Sequence, residues 1–159
     1  MSDKIAILGM GRSGRSAAKL ALSKGMEVNC IDSNPSCTPI QGCTLYLDSE
    51  FEVSSVDLLV VSPGVPSTHP LIQKAIVMKI SVLGELAFAS QFIDSPLLAI
   101  TGTNVKSSTA WYAYQLLSQT AHKPFIGGNF GIALSEMALA LDDYTIGIVE
   151  VSSYQMEFP

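Results

Sequence analysis

The chain has 159 residues, 48% hydrophobic and 14% charged, with a formal net charge of −5. That balance supplies a buried core and excludes an intrinsically disordered chain. Nine Lys and Arg against fourteen acidic residues also exclude a general nucleic-acid-binding face, so an anionic ligand must be held by local donors.

Met1-Ser2-Asp3-Lys4 leads into Ile5-Ala6-Ile7-Leu8, a run too short for a signal-peptide core, and no stretch approaches the roughly 20 apolar residues of a membrane span. A cytoplasmic protein without a membrane partner is expected. Ile5 to Leu8 reads as a buried strand, Gly9 to Gly14 as a turn, and Ser16 to Lys24 as a helix stopped by Gly25. Glu27 to Ile31 reads as a strand ending at Asp32, and Leu45 to Leu47 as a short one. Leu58 to Val61 is a further strand, halted by Ser62-Pro63-Gly64. Leu71 to Met78 predicts a helix, Ile80 to Leu83 a strand, Glu85 to Phe92 a helix, and Ile93 to Pro96 a linker.

A second cycle follows. Leu97 to Ile100 reads as a strand, Thr101 to Lys106 as a turn and Ser107 to Ser118 as a helix. Pro124 to Ile126 is a strand, Gly127 to Gly131 a loop, Ile132 to Leu141 a helix and Thr145 to Val151 a strand. The alternation predicts an α/β chain with parallel sheets, divided into residues 1–93 and 94–159. The second unit offers about three strands, and a parallel sheet must be covered on both faces. It is expected to lean on the first unit or on further residues. Cys30, Cys37 and Cys43 are odd in number and lack a C-x-x-C spacing, so reduced thiols are expected rather than zinc or a disulfide.

Gly9-Met10-Gly11-Arg12-Ser13-Gly14 satisfies G-x-G-x-x-G between a strand and a helix. Gly9 suits the tight turn, Gly11 lets a diphosphate approach the backbone, and Gly14 lets the helix pack on the strand. The helix N-terminus adds free N–H groups and a positive dipole. Asp32 stands where an acidic residue meets a ribose, Ser13 adds a hydroxyl donor, and Arg12 and Arg15 add charge. By this rule alone the ligand is NAD, which points to an NAD-dependent oxidoreductase. Thr101-Gly102-Thr103-Asn104-Val105-Lys106-Ser107 is a second strand-to-helix turn, and Lys106-Ser107 matches the end of a P-loop. Ile100 and Val105 stand where G-x-x-x-x-G-K-[ST] has glycines.

Three segments together, Thr101 to Thr109, Gly127 to Gly131 and Val149 to Gln155, resemble the Mur ligases, the ATP-dependent amide-forming enzymes of peptidoglycan synthesis. Their P-loop reads T-G-T-N-G-K-[ST]-T. Ser62-Pro63-Gly64, His69-Pro70 and Glu150 to Gln155 are similar to motifs of the branch that joins D-glutamate to UDP-N-acetylmuramoyl-L-alanine. The resemblance covers essentially the whole chain, in order.

It implies a Rossmann-like UDP-substrate domain followed by the truncated start of a P-loop ATPase-type central domain. Gly9, Gly11, Arg12, Ser13 and Gly14 would then cradle a UDP diphosphate, with Asp32 and Ser33 at the uracil end. Ser62 and Gly64 would line the same site, Asn129 would reach the sugar-phosphate part, and Ser152 and Gln155 would lie beside it. ATP would sit on Gly102, Thr103, Asn104, Val105, Lys106, Ser107 and Ser108, with Lys106 on its phosphates and Mg²⁺ on Ser107 and Glu150. The implied reaction phosphorylates the substrate carboxylate, and the amine of D-glutamate then attacks the acyl phosphate. A monomer acting on small molecules is expected.

Two departures bear on activity. Val105 replaces the glycine before the lysine, where a β-branched residue resists unusual backbone angles, so weak ATP binding is expected. The resemblance also places a metal-binding histidine, a carboxylated lysine and an amino-acid-binding domain beyond residue 159, so the chain alone is expected not to ligate. A non-catalytic nucleotide-sugar binding module is the third reading.

The remaining residues read blandly. Trp111, Tyr112, Tyr114, Leu116 and Leu117 are expected to pack in the core or between domains, and His122 to lie on the surface. His69 precedes a helix starting at Pro70, Asp142-Asp143 reads as a solvated loop, and Met156 and Phe158 are expected to be exposed.

Overall fold

Short apolar strands and amphipathic helices alternate along the chain, and the strands at Lys4–Leu8, Glu27–Asp32, Leu58–Val61 and Ile146–Glu150 are buried on both faces. The computed structural model describes residues 4–140, 143–156 and 158. The first unit runs β1 (Lys4–Leu8), α1 (Arg12–Ser23), β2 (Glu27–Asp32), β3 (Thr44–Leu47), β4 (Leu58–Val61), α2 (Pro70–Val77), β5 (Ser81–Gly84) and α3 (Glu85–Ser90). Its five strands are parallel in the order β3-β2-β1-β4-β5. The chain winds outward from β1 to β3, then returns to β4 on the other side of β1. That reversal opens a crevice at the carboxyl ends of β1 and β4, where ligands bind in doubly wound sheets.

The second unit runs β6 (Leu97–Ile100), α4 (Lys106–Leu117), β7 (Pro124–Gly128), α5 (Leu134–Leu139) and β8 (Ile146–Glu150). Its strands form a separate parallel sheet of order β6-β8-β7. One apolar core joins the two units: α5 packs on both α1 and α3, so Leu134, Met137 and Ala138 share a cluster with Leu20, Ala21, Phe88 and Ala89. Two polar contacts pin the same joint. Buried Glu85 accepts hydrogen bonds through Oε1 from the Ser135 amide (2.8 Å) and hydroxyl (2.6 Å), and the Ser16 hydroxyl donates to Glu136 (3.0 Å). Burial pushes the Glu85 carboxyl up, and the bonds from Ser135 partly offset this.

Several boundaries differ from those read in the sequence. Helix α1 begins at Arg12 rather than Ser16, because only Gly9 has the left-handed backbone and Gly14 already lies in the first helical turn. Gly127 and Gly128 extend β7, where they pair with Val149 and Glu150 of β8. Helix α5 covers Leu134 to Leu139, and Leu141 and Asp142, which the sequence reading placed in that helix and the loop after it, lie outside the described residues.

Of the α4 residues expected to pack in the core or between domains, Tyr114 and Leu117 are half-buried, whereas a place in the core is corrected for Trp111, Tyr112 and Leu116. Only Ala110 of that helix is buried, and Trp111, Tyr112 and Leu116 are exposed. The stripe Ala110, Ala113, Tyr114 and Leu117 faces the three-stranded sheet at helical spacing, which turns Trp111, Tyr112 and Leu116 outward. Phe158 is likewise not free: it packs on the first unit's core, and its carbonyl accepts from the Gly84 amide at 2.9 Å. Met156 is exposed as expected. No helix among the described residues is long and apolar enough to cross a membrane.

Candidate functional site

The glycine turn between β1 and α1 sits at the crevice between β1 and β4. Gly9 has φ +88°, and a Cβ on Gly14 would collide with the Gly9 carbonyl, so the backbone requires glycine at these two positions, whereas Gly11 has open space around it. The Ser62 hydroxyl donates to that same carbonyl at 2.6 Å, which joins the Ser62-Pro63-Gly64 turn to the glycine turn. Gly9, Gly11, Arg12, Ser13, Asp32, Ser33, Ser62 and Gly64 all line one pocket of about 360 Å³. Gly14 stands behind its wall.

Asp32 has a different task from the one the ribose rule gives it. Its Oδ2 accepts from the Met10 amide at 2.6 Å and its Oδ1 from the Asn34 amide at 2.8 Å. The carboxylate therefore braces the glycine turn and the loop after β2 from one point. Arg15 is a second brace, donating to the Thr38 carbonyl at 2.8 Å, whereas Arg12 is exposed at the pocket rim.

A contiguous recess of about 170 Å³ is lined by Asp32, Ser33, Asp48, Gly64 and His69, among others. His69 caps α2: its Nδ1 accepts from the Leu71 amide at 3.3 Å, so Nε2 carries the hydrogen and meets Asp48 at 3.0 Å. Sequence reasoning found the helix start at Pro70 but missed Asp48, whose partner lies 21 residues away with no periodic signal.

The second turn is built less well. Val105 is the N-cap of α4 with φ +65° and ψ +9°, a left-handed conformation that costs an L-residue about 1–2 kcal/mol. Lys106 Nζ donates to the Gly102 carbonyl at 2.9 Å. Thr103 and Asn104 are exposed on the loop, and Ser107 and Ser108 open onto a shallow cleft with Trp111, Tyr112 and Phe130.

Glu150 ends β8 and is 2% exposed. Its Oε1 accepts from Asn129 Nδ2 at 3.1 Å, while Oε2 is buried without a hydrogen-bond partner. A buried carboxylate oxygen with no donor fits a cation ligand. Among the described residues no three His, Cys, Asp or Glu side chains gather as a metal site. Asn129 does not line the glycine-turn pocket; it is engaged with Glu150. Gln155 Oε1 accepts from the Ser152 amide (2.9 Å) and hydroxyl (3.1 Å). Gln155 also shares a small cavity of about 20 Å³ with Ser62 and Glu85, so the segment after β8 reaches the wall of the first site.

A strand, glycine turn and helix at the switch point of a doubly wound parallel sheet define a Rossmann-type unit. The family described as Mur ligase MurD-like, N-terminal domain, matches residues 3–84. The UDP-N-acetylmuramoylalanine–D-glutamate ligase of Trichlorobacter lovleyi is 31% identical over 99% of the chain, and that of Aquifex aeolicus 36% over 96%. The chain spans 37% and 34% of the lengths of those two proteins. Among solved structures, a UDP-N-acetylmuramate:L-alanyl-gamma-D-glutamyl-meso-diaminopimelate ligase from Neisseria meningitides superposes with a TM-score of 0.57 at 16% identity, covering 97% of this chain and 54% of that one. A murein peptide ligase from Psychrobacter arcticus gives 0.56 at 17%, covering 96% and 38%. These likenesses show a shared fold. The chain belongs to the MurD-like Mur ligase family.

Proposed function

We propose that this chain is the UDP-substrate-binding part, with the opening of the ATP-binding part, of a ligase that joins D-glutamate to UDP-N-acetylmuramoyl-L-alanine in peptidoglycan precursor synthesis. Residues 1–93 form the UDP-substrate domain and residues 94–159 the first part of the ATP-binding domain in this reading. The observation that carries it is the bond from the Ser62 hydroxyl to the Gly9 carbonyl, which makes the Ser62-Pro63-Gly64 turn and the glycine turn one pocket wall.

The helix N-terminus, Ser13 and Arg12 would hold the diphosphate, Asp32 and Ser33 the uracil end, and Ser62 and Gly64 the opposite wall. Asn129, Ser152 and Gln155 would face the sugar side. Lys106, Ser107 and the Gly102 to Ser108 backbone would hold ATP, and Ser107 with Glu150 would hold Mg²⁺. Bound Mg²⁺ would offset phosphate charge during transfer. Lys106 must leave the Gly102 carbonyl to reach a phosphate, and Val105 must keep its strained backbone for the turn to form. Both lower nucleotide affinity. The protein acts in the cytoplasm as a monomer on small molecules, without nucleic-acid or membrane partners.

The test is phosphate release from ATP by the complete cellular protein. Release that requires both UDP-N-acetylmuramoyl-L-alanine and D-glutamate supports the reading. Release with a different amino acid, or none with either substrate, overturns it.

A further inference from the structure

We infer that Asn129 is the positioning residue that presents the Glu150 carboxylate to a divalent cation, an inference that rests on the metal role proposed for Glu150. The backbone first fixes the pair. Gly128 and Glu150 are paired residues of β7 and β8, and Gly128 has φ +94° with no room for a Cβ against the Glu150 carbonyl. The strands therefore approach closely at this point, and the Asn129 amide donates to the Glu150 carbonyl at 2.9 Å. That contact sets the Asn129 side chain beside the Glu150 side chain, where Nδ2 meets Oε1 at 3.1 Å.

Chemistry fixes the orientation. An ionised carboxylate only accepts, so the amide nitrogen of Asn129 must face it. One oxygen is then satisfied and the other, Oε2, is buried with no partner. A purely structural Asn–Glu pair has no reason to leave this oxygen bare, because a buried charged acceptor without a partner costs more than a neutral one. No described salt bridge involves Glu150, and Lys106 is engaged with Gly102. Asn129 thus holds Oε1 and turns Oε2 into the coordinating oxygen, as outer partners of metal ligands do.

The test is Mn²⁺ titration of the chain, read as site-specific broadening of the Gly128, Asn129 and Val151 amide signals. Glu150→Gln identifies the broadening that depends on this carboxylate. Asn129→Ala is expected to raise the Mn²⁺ concentration for half-broadening at least tenfold, within the range seen when outer partners of metal ligands are removed. Asn129→Leu, which keeps the side-chain volume and so guards against collapse of the loop, is expected to do the same. Val77→Ala, at an exposed position of α2 apart from this pair, is expected to leave the value unchanged. Wild-type behaviour in both Asn129 variants overturns the inference. Absence of Glu150-dependent broadening in the wild type removes the metal role of Glu150 itself, and the inference with it.

Discussion

The two glycine-containing turns follow the same plan, strand then turn then helix, and differ in how completely their surroundings support them. At the first, glycine occupies the left-handed position, Asp32 ties two backbone amides, Ser62 ties the turn carbonyl, and α1 buries Gly14, Ser16, Ala17, Ala18, Leu20 and Ala21. At the second, valine occupies the left-handed position and α4 buries Ala110 alone. A phosphate site works when its donors are held before the ligand arrives. The first turn meets that condition from its own sequence. The second meets it only at the expense of backbone strain.

The largest expected effect comes from breaking the better turn. Gly14→Ala places a methyl against the Gly9 carbonyl and 2.7 Å from the Ser62 hydroxyl oxygen, neither of which can retreat without opening the turn. A loss of about 3 kcal/mol in denaturant unfolding is expected, since overpacking of this kind costs about 1–3 kcal/mol or more. Ser62→Ala removes one hydrogen bond and leaves the Gly9 carbonyl short of a donor, for a loss of about 1 kcal/mol. UDP affinity is expected to fall in both.

Val105→Gly acts on the second turn in the opposite direction. Relief of the left-handed strain is worth about 1–2 kcal/mol, and the added freedom of glycine in the unfolded chain takes back about 0.4–1 kcal/mol. A small net gain in stability is expected, together with tighter ADP binding by titration calorimetry. Unchanged ADP affinity and lost stability would show that the valine fits the turn as it stands.

The smallest effect lies at the joint between the regions. Burial raises the Glu85 carboxyl, with Glu136 adding like charge and Ser135 opposing through its hydroxyl and amide. A folded value above the unfolded one means that the protonated form favours the fold. Its contribution is fully present below the unfolded value and is lost as pH rises through the folded one. Glu85→Gln keeps an oxygen for both bonds from Ser135 and removes the charge, so the fall in stability as pH rises above the ordinary carboxylate range is expected to flatten. Urea unfolding at a series of pH values reads this directly, and an unchanged slope would mean that Glu85 does not titrate with the fold.

Local patterns carried much of this architecture in the sequence. The strands at Ile5, Leu58 and Leu97 are apolar runs bounded by turns, and all appear as β1, β4 and β6. The start of α1 did not show, because the whole run from Gly9 to Gly14 reads as a turn, although the close packing that requires glycine at position 14 was legible in the motif. Contacts such as Glu85 with Ser135 and Asn129 with Glu150 join residues far apart in sequence and leave no periodic trace. The outward turn of Trp111 and Tyr112 depends on how much sheet lies under α4, which helix periodicity alone does not set.

In the reading proposed above, the Gly9 to Gly14 turn holds the diphosphate of a UDP-linked substrate. Parallel titrations of the chain with UDP, a UDP-sugar and NADH, followed by backbone amide shifts, test it most directly. UDP and the UDP-sugar are expected to shift the amides of Gly9 to Ser13, Ser62 and Gly64 at lower concentration than NADH does. A preference for NADH at those same amides would contradict it.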